Sequence, residues 1–211
     1  MENHVKRFNT FTLFIFLLIM GISCSTFKMM PNHNPDEIYK LTKETGIERT
    51  DLNKKSIILE MNGDLSVQPV GAYIDDRFHN FTNAVLTYVI PNAGHVLFES
   101  MADTLKENNA RVYRKYNTDL DRGFNVPRGT KIVKVIVESL EFHLHREKDA
   151  DEKDGASYIL SRAKISYAIT EMNSKKKATF KRITAMAKVS KKKNAFRILS
   201  SHLIKKISKD L

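Results

Sequence analysis

Residues Thr130–His145 leave this chain the least freedom. Val133, Val135 and Val137 alternate on one phase, and Leu140, Phe142 and Leu144 alternate on the other. Side chains of a strand have period two, so a slip of one residue sends an apolar set to the opposite face. A β-bulge near Glu138–Ser139 adds one residue and returns both halves to a single core face. The pattern therefore predicts one long strand, bulged in its middle, within a sheet large enough to hold it. His143 and His145 then share the outer face. Two histidines at this spacing can hold a metal, but beside an acidic loop they read as water-facing residues, so no metal is assigned.

The rest of the pattern supplies the partners. Residues 146–155, REKDADEKDG, read as a solvated hairpin loop. Ile159, Ala163, Ile165, Tyr167 and Ile169 form the inward face of the next strand. Asn173-Ser174 and Lys175–Lys177 turn the chain, and Ile183, Ala185, Ala187 and Val189 face inward on the strand that returns. The small alanines leave room for a helix to approach closely. That helix begins at the N-cap Asn194, with Phe196, Leu199, Leu203, Ile207 and Leu211 at three- and four-residue spacing. Its amphipathic face can cover the sheet or lie on a membrane; the sheet needs a cover, which favours packing into the core.

Upstream, Leu97, Met101 and Leu105 mark a helix over 93–108, with His95 and Glu99 as a solvent-facing pair. Ser56–Met61 is a strand, and Asn62-Gly63 before Leu65–Tyr73 predicts a hairpin, its second strand an edge because of Pro69. Asp75-Asp76-Arg77 reads as a turn with a salt bridge. Phe78–Asn92 is ambiguous, and Arg111–Tyr116 is a short strand. Asn34-Pro35-Asp36-Glu37 starts a short helix that Gly46 closes. The fold class is α+β: a mostly antiparallel sheet of four to six strands, covered on one face by two helices. The expected organisation is a signal over 1–23, a tether over 24–53 and one domain over 54–211.

The first twenty-four residues, MENHVKRFNTFTLFIFLLIMGISC, are an address. Lys6 and Arg7 precede a twelve-residue apolar run, Phe11–Ile22, which suits a signal h-region of about 7–15 residues. A spanning helix needs about 20. Small Gly21 and Ser23 then precede the only cysteine. This end resembles the lipobox of bacterial lipoproteins. The resemblance implies diacylation of the Cys24 thiol, cleavage before it and acylation of the new amine. An ordinary signal peptidase cutting the same bond would leave Cys24 unlipidated. With no second cysteine, the mature chain forms no internal disulfide.

Charge sets the candidate binding residues. The net charge of +11 becomes +10 once Glu2, Lys6 and Arg7 leave with the signal. Arg162–Leu211 holds fifteen Lys or Arg against Glu171 and Asp210, so the C-terminal strands should attract polyanions. Arg162, Lys164, Lys181, Arg182 and Lys188 are expected on one outward face, a candidate site for anionic lipid, glycolipid or a membrane-protein partner. Nucleic acid is not expected, because an export signal carries the domain away from it.

In order and spacing of elements, residues 56–211 resemble small envelope lipoproteins with an α+β sandwich. These are the YajG-like lipoproteins, the lipopolysaccharide-assembly lipoprotein and the auxiliary lipoproteins of ABC-type lipid transporters. In residues the resemblance rests on VQPVGAYIDDR, RGTKIVKVIVESLEF and the closing helix. It implies a non-catalytic binding, assembly or transport-accessory protein, with no cofactor, held on the periplasmic side of the outer membrane through lipid on Cys24. The sequence holds no GxSxG, no HExxH and no Gly-rich phosphate loop. The alternative is a periplasmic hydrolase with paired carboxylates, such as Asp75 with Asp103.

Overall fold

The computed structural model describes residues 41, 43–63, 73–75, 80–82, 92–116, 126–146, 157–172, 174, 177–190 and 193–211. The chain divides between Pro35 and Asp36, and all of these residues belong to the second unit. Met1–Ser23, Cys24, the start of the expected 34–46 helix, most of Leu65–Tyr73, Asp76-Arg77 and the 147–156 loop lie outside them.

The fold is α+β, a mostly antiparallel sheet with two helices on one face. Seven strands are described, two of them only three residues long: β1 (Ser56–Met61), β2 (Tyr73–Asp75), β3 (Asn80–Thr82), β4 (Arg111–Tyr116), β5 (Lys131–Arg146), β6 (Ser157–Glu171) and β7 (Lys181–Ser190). The helices are α1 (Ala93–Glu107) and α2 (Ala195–Ile207). β5 is the spine. Along one edge it pairs antiparallel with β6 from Lys131↔Glu171 to Arg146↔Ser157, and β6 pairs antiparallel with β7. Its other edge is shared: β1 lies parallel to Lys131–Val135, and β2 parallel to Leu144–Arg146. β4 flanks β1 in parallel, and β3 flanks β2 antiparallel.

The bulge lies where the alternation requires it. Val137 pairs with Ile165 and Ser139 with Lys164, so Glu138 is the extra residue. Val133, Val135, Val137, Leu140 and Phe142 consequently all enter one core. They meet Ala163, Ile165 and Tyr167 of β6 and Ala185, Ala187 and Val189 of β7. The alanines, at most 2% exposed, admit α2 closely. Phe142 and Phe196 stack tilted, with centroids 5.0 Å apart. The Asn194 side chain caps α2 by accepting from the Arg197 N–H at 3.3 Å. Leu97, Phe98, Met101 and Leu105 of α1 complete the layer.

Two local expectations give way to long-range pairing. Asn62-Gly63 does not fold β1 back into a hairpin, because β4 and β5 already occupy both of its edges. Asn62 N–H instead donates to the Val135 carbonyl at 2.8 Å, and Gly63 takes φ +108°, a conformation that favours glycine. As a central parallel strand β1 is buried on both faces, Ile58 and Glu60 included. The second difference concerns residues 44–53. Gly46 closes no helix. Thr45 lies alongside β7, its N–H donating to the Lys188 carbonyl at 2.8 Å and its hydroxyl accepting from the Lys188 N–H at 2.9 Å. Glu48 N–H then donates to Ser201 Oγ, and Leu52 N–H to the Asn108 carbonyl. Segment 44–53, expected as tether, is thus hydrogen-bonded to both helical elements and an edge of the sheet.

Candidate functional site

Side-chain phase divides the five expected cations. Arg162, Lys164, Arg182 and Lys188 occupy even positions of β6 and β7, on the face away from the helices. Lys181 is the register partner of Tyr167 and shares the helix-side phase of Ile183 and Ala185, so the single outward basic face is a face of four.

On that outer face Arg162 and Arg182 are held by acids. Arg162 donates from Nε and Nη2 to one Glu141 oxygen, at 3.0 and 2.6 Å. Both side chains are shielded, 13% and 5% exposed. Arg182 Nε lies 2.7 Å from the bulge residue Glu138, which also accepts from Ser166 Oγ at 2.5 Å. Burial pushes the Glu138 carboxyl up, but the Ser166 and Arg182 hydrogen bonds and the charges of Arg182 and Lys164 hold it below the usual range. A general acid would need the opposite shift. Lys188 is 4% exposed, its ammonium 4.4 Å from the Tyr158 ring centroid. Further across, Glu60 lies between Lys115 at 3.2 Å and Lys134 at 3.9 Å. Glu60, Glu138 and Glu141 thus interrupt the positive field of this face.

The acids that interrupt it were legible as residues but not as neighbours. Glu141 and Arg162 are direct cross-strand partners. Counting outward from the centre of the 146–155 loop would have matched Glu141 with Leu160, because the last pair of the hairpin is Arg146↔Ser157.

Lys181 belongs to a second arrangement, at the end of the sheet beside the C-terminus of α2. A cleft of about 570 Å³ there is lined by Lys131, Tyr167, Glu171, Lys177, Lys181 and Asp210, among others. Lys181 Nζ is 2.7 Å from Asp210, which also accepts the Tyr167 hydroxyl; Lys131 pairs with Glu171. Hydrogen bonds from Lys181 and Tyr167 hold the Asp210 carboxyl below its ordinary 3.8. Burial first, and then the Asp210 acceptor and its charge, push the Tyr167 phenol up to about 12.

Both shifts fix a pH dependence with opposite signs. The lowered Asp210 value contributes stability that is present above 3.8 and is lost as pH falls through it. The raised Tyr167 value contributes stability that is full below 10 and is lost as pH rises towards 12. Urea midpoints of the chain should therefore decline at both extremes. Asp210→Asn should flatten part of the acid limb and Tyr167→Phe part of the alkaline one. An alkaline limb unchanged by Tyr167→Phe would contradict the assignment.

The remaining candidates fall elsewhere. His143 is not water-facing: its side chain is 12% exposed, with Nε2 3.6 Å from Glu141. Glu99, expected in solvent beside His95, joins Asp103 in holding Arg114 of β4, each at 2.9 Å. Asp103 is thereby engaged, and the side chain of Asp75 lies outside the described residues. No group of three metal-ligating side chains occurs among the described residues.

The sequence matches no protein-family model and no curated protein. In structure the chain is similar to a Xanthomonas campestris protein of family DUF330, at 9% identity and a TM-score of 0.44, covering 78% of this chain and 90% of that one. It is also similar to a minor lipoprotein from Acinetobacter baumannii, at 12% identity and TM-score 0.32, covering 75% and 93%. A third is the PelC dodecamer from Paraburkholderia phytofirmans, at 13% identity and TM-score 0.34, covering 78% and 93%. At these values no ligand, partner or site residue transfers to this chain.

Proposed function

We propose that this protein is a lipid-anchored lipoprotein of the bacterial cell envelope, exported by its first 23 residues and held through acyl chains on Cys24. Its role on this reading is non-catalytic: a binding, assembly or transport-accessory domain on the periplasmic side of the outer membrane. The observation that carries the reading is the run Lys6-Arg7, Phe11–Ile22, Gly21 and Ser23, ending at the only cysteine. Each buried methylene of an acyl chain is worth about 0.8 kcal/mol, so two or three chains anchor stably where one does not.

The packing of α2 supports it indirectly. Its apolar stripe, Ile198, Leu199, Leu203, Ile204 and Ile207, is at most 4% exposed and is used up in the core. No described helix is long and apolar enough to cross a membrane. On this reading the durable membrane attachment is the lipid on Cys24.

Mass spectrometry of the native protein, with membrane fractionation of Cys24→Ser, tests this directly. The expected result is a mature chain starting at an acylated Cys24, and loss of the substituted protein from the membrane pellet. A bare thiol, or Met1–Ser23 still attached, would overturn it. Purification in detergent with the anchor intact would then show whether an envelope complex comes along.

A further inference from the structure

Few large apolar side chains of the described domain are exposed, and one is Phe180, at 42%. It stands at the start of β7, between the cleft-lining residues Thr179 and Lys181. Exposed Lys177 precedes it, Lys131 enters the same cleft from β5, and exposed Lys209 follows α2 at this end. Against these four cations stand Glu171 and Asp210, which engage Lys131 and Lys181. Lys177 and Lys209 are left as surplus charge. Among the described residues this rim thus carries two exposed cations beyond its two ion pairs, around a solvent-exposed phenyl ring.

We infer that this rim, Phe180 with Lys177, Lys181 and Lys131, is a reversible docking surface for an anionic phospholipid bilayer. The inference rests on the anchored reading above and names the surface that such an anchor would bring to the membrane. Charge complementarity selects the partner. Lysines attract anionic head groups and weaken with salt, while an aromatic ring gains by leaving water at the head-group boundary. One ring and a few lysines bind weakly as a free domain. Tethering raises the local bilayer concentration and makes the same contact effective.

The chain length permits it. Glu44 accepts from Ser190 N–H and from Lys193 at the far end of β7. From there to the rim is roughly 30 Å at about 3.3 Å per strand residue. The residues from Cys24 to Glu44 reach on the order of 65 Å when extended. The rim can therefore meet the bilayer although the chain joins β7 at its other end.

The sequence contains no tryptophan, so Phe180→Trp in the full chain is a single emitter at the site. The protein is reconstituted through its anchor into phosphatidylcholine vesicles with or without phosphatidylglycerol, and quenching by brominated acyl chains is read. With phosphatidylglycerol the emission should shift to the blue and be quenched. High salt or Lys177→Glu should abolish both effects, and Ile47→Trp, placed at another exposed apolar position, should show neither. Absence of quenching in the Phe180→Trp protein with acylated Cys24 overturns the docking surface and leaves the anchor standing; equal quenching in the Ile47→Trp protein overturns it too. The mass of Cys24 is measured on the same sample. A bare Cys24 overturns the anchor, and the rim then stands or falls on quenching of the unanchored chain.

Discussion

Arg162→Ala should lower the unfolding free energy by about 3–5 kcal/mol, although arginine on an outward strand face is ordinarily a dispensable surface residue. The substitution withdraws two hydrogen bonds from a carboxylate that is only 4% exposed. Removing one partner of a shielded ion pair leaves a charge that water does not reach well. Replacing both by apolar groups of similar size removes that penalty. Glu141→Leu with Arg162→Met should therefore recover most of the loss, and urea denaturation of the single and double variants reads the difference. A single variant that unfolds at the wild-type midpoint would refute the pairing. The consequence reaches functional work: charge reversal at Arg162 reports on folding before it reports on any anion. Lys177, exposed and away from the core, is the cleaner probe.

Leu203→Ala should cost about 2–5 kcal/mol, the range for a large-to-small change in a well-packed core. Leu203 is 0% exposed, within the layer where α2 meets α1, β6 and β7. The measurement also separates the two uses of an amphipathic basic helix. If α2 lay on a membrane, truncating Leu203 would weaken membrane attachment and leave the urea midpoint of the detergent-free chain unchanged. A lowered midpoint with undiminished attachment through Cys24 is the expected outcome.

The two predictions rest on different kinds of information. Leu203 was identifiable by inspection, because helical spacing puts residues 199, 203 and 207 on one stripe whatever lies opposite. Arg162 was identifiable only as a cation. Its partner is twenty-one positions away, across a strand pair whose register depends on where the intervening loop turns. Lys181 shows the same limit from the other side. Its charge placed it with an outward set, while its phase with Ile183 and Ala185 placed it beside Asp210.

By itself the sequence determined whatever depends on local periodicity: the two helices, the three long strands, the bulge and the alanines that let α2 settle on the sheet. It also contains the run ending at Cys24 on which the proposed export and anchor rest. Tertiary structure alone decided who neighbours whom. β1 joins β4 and β5 across about fifty and seventy intervening residues. A two-residue turn signal cannot compete once both edges of a strand are taken, because each backbone N–H and C=O bonds only once in the ladder. Net charge adds along a chain regardless of order, but the field at a surface depends on which opposite charge the register places alongside. That is why cations of one basic C-terminal third differ: Arg162 and Lys181 are held by acids, while Lys177 stands exposed.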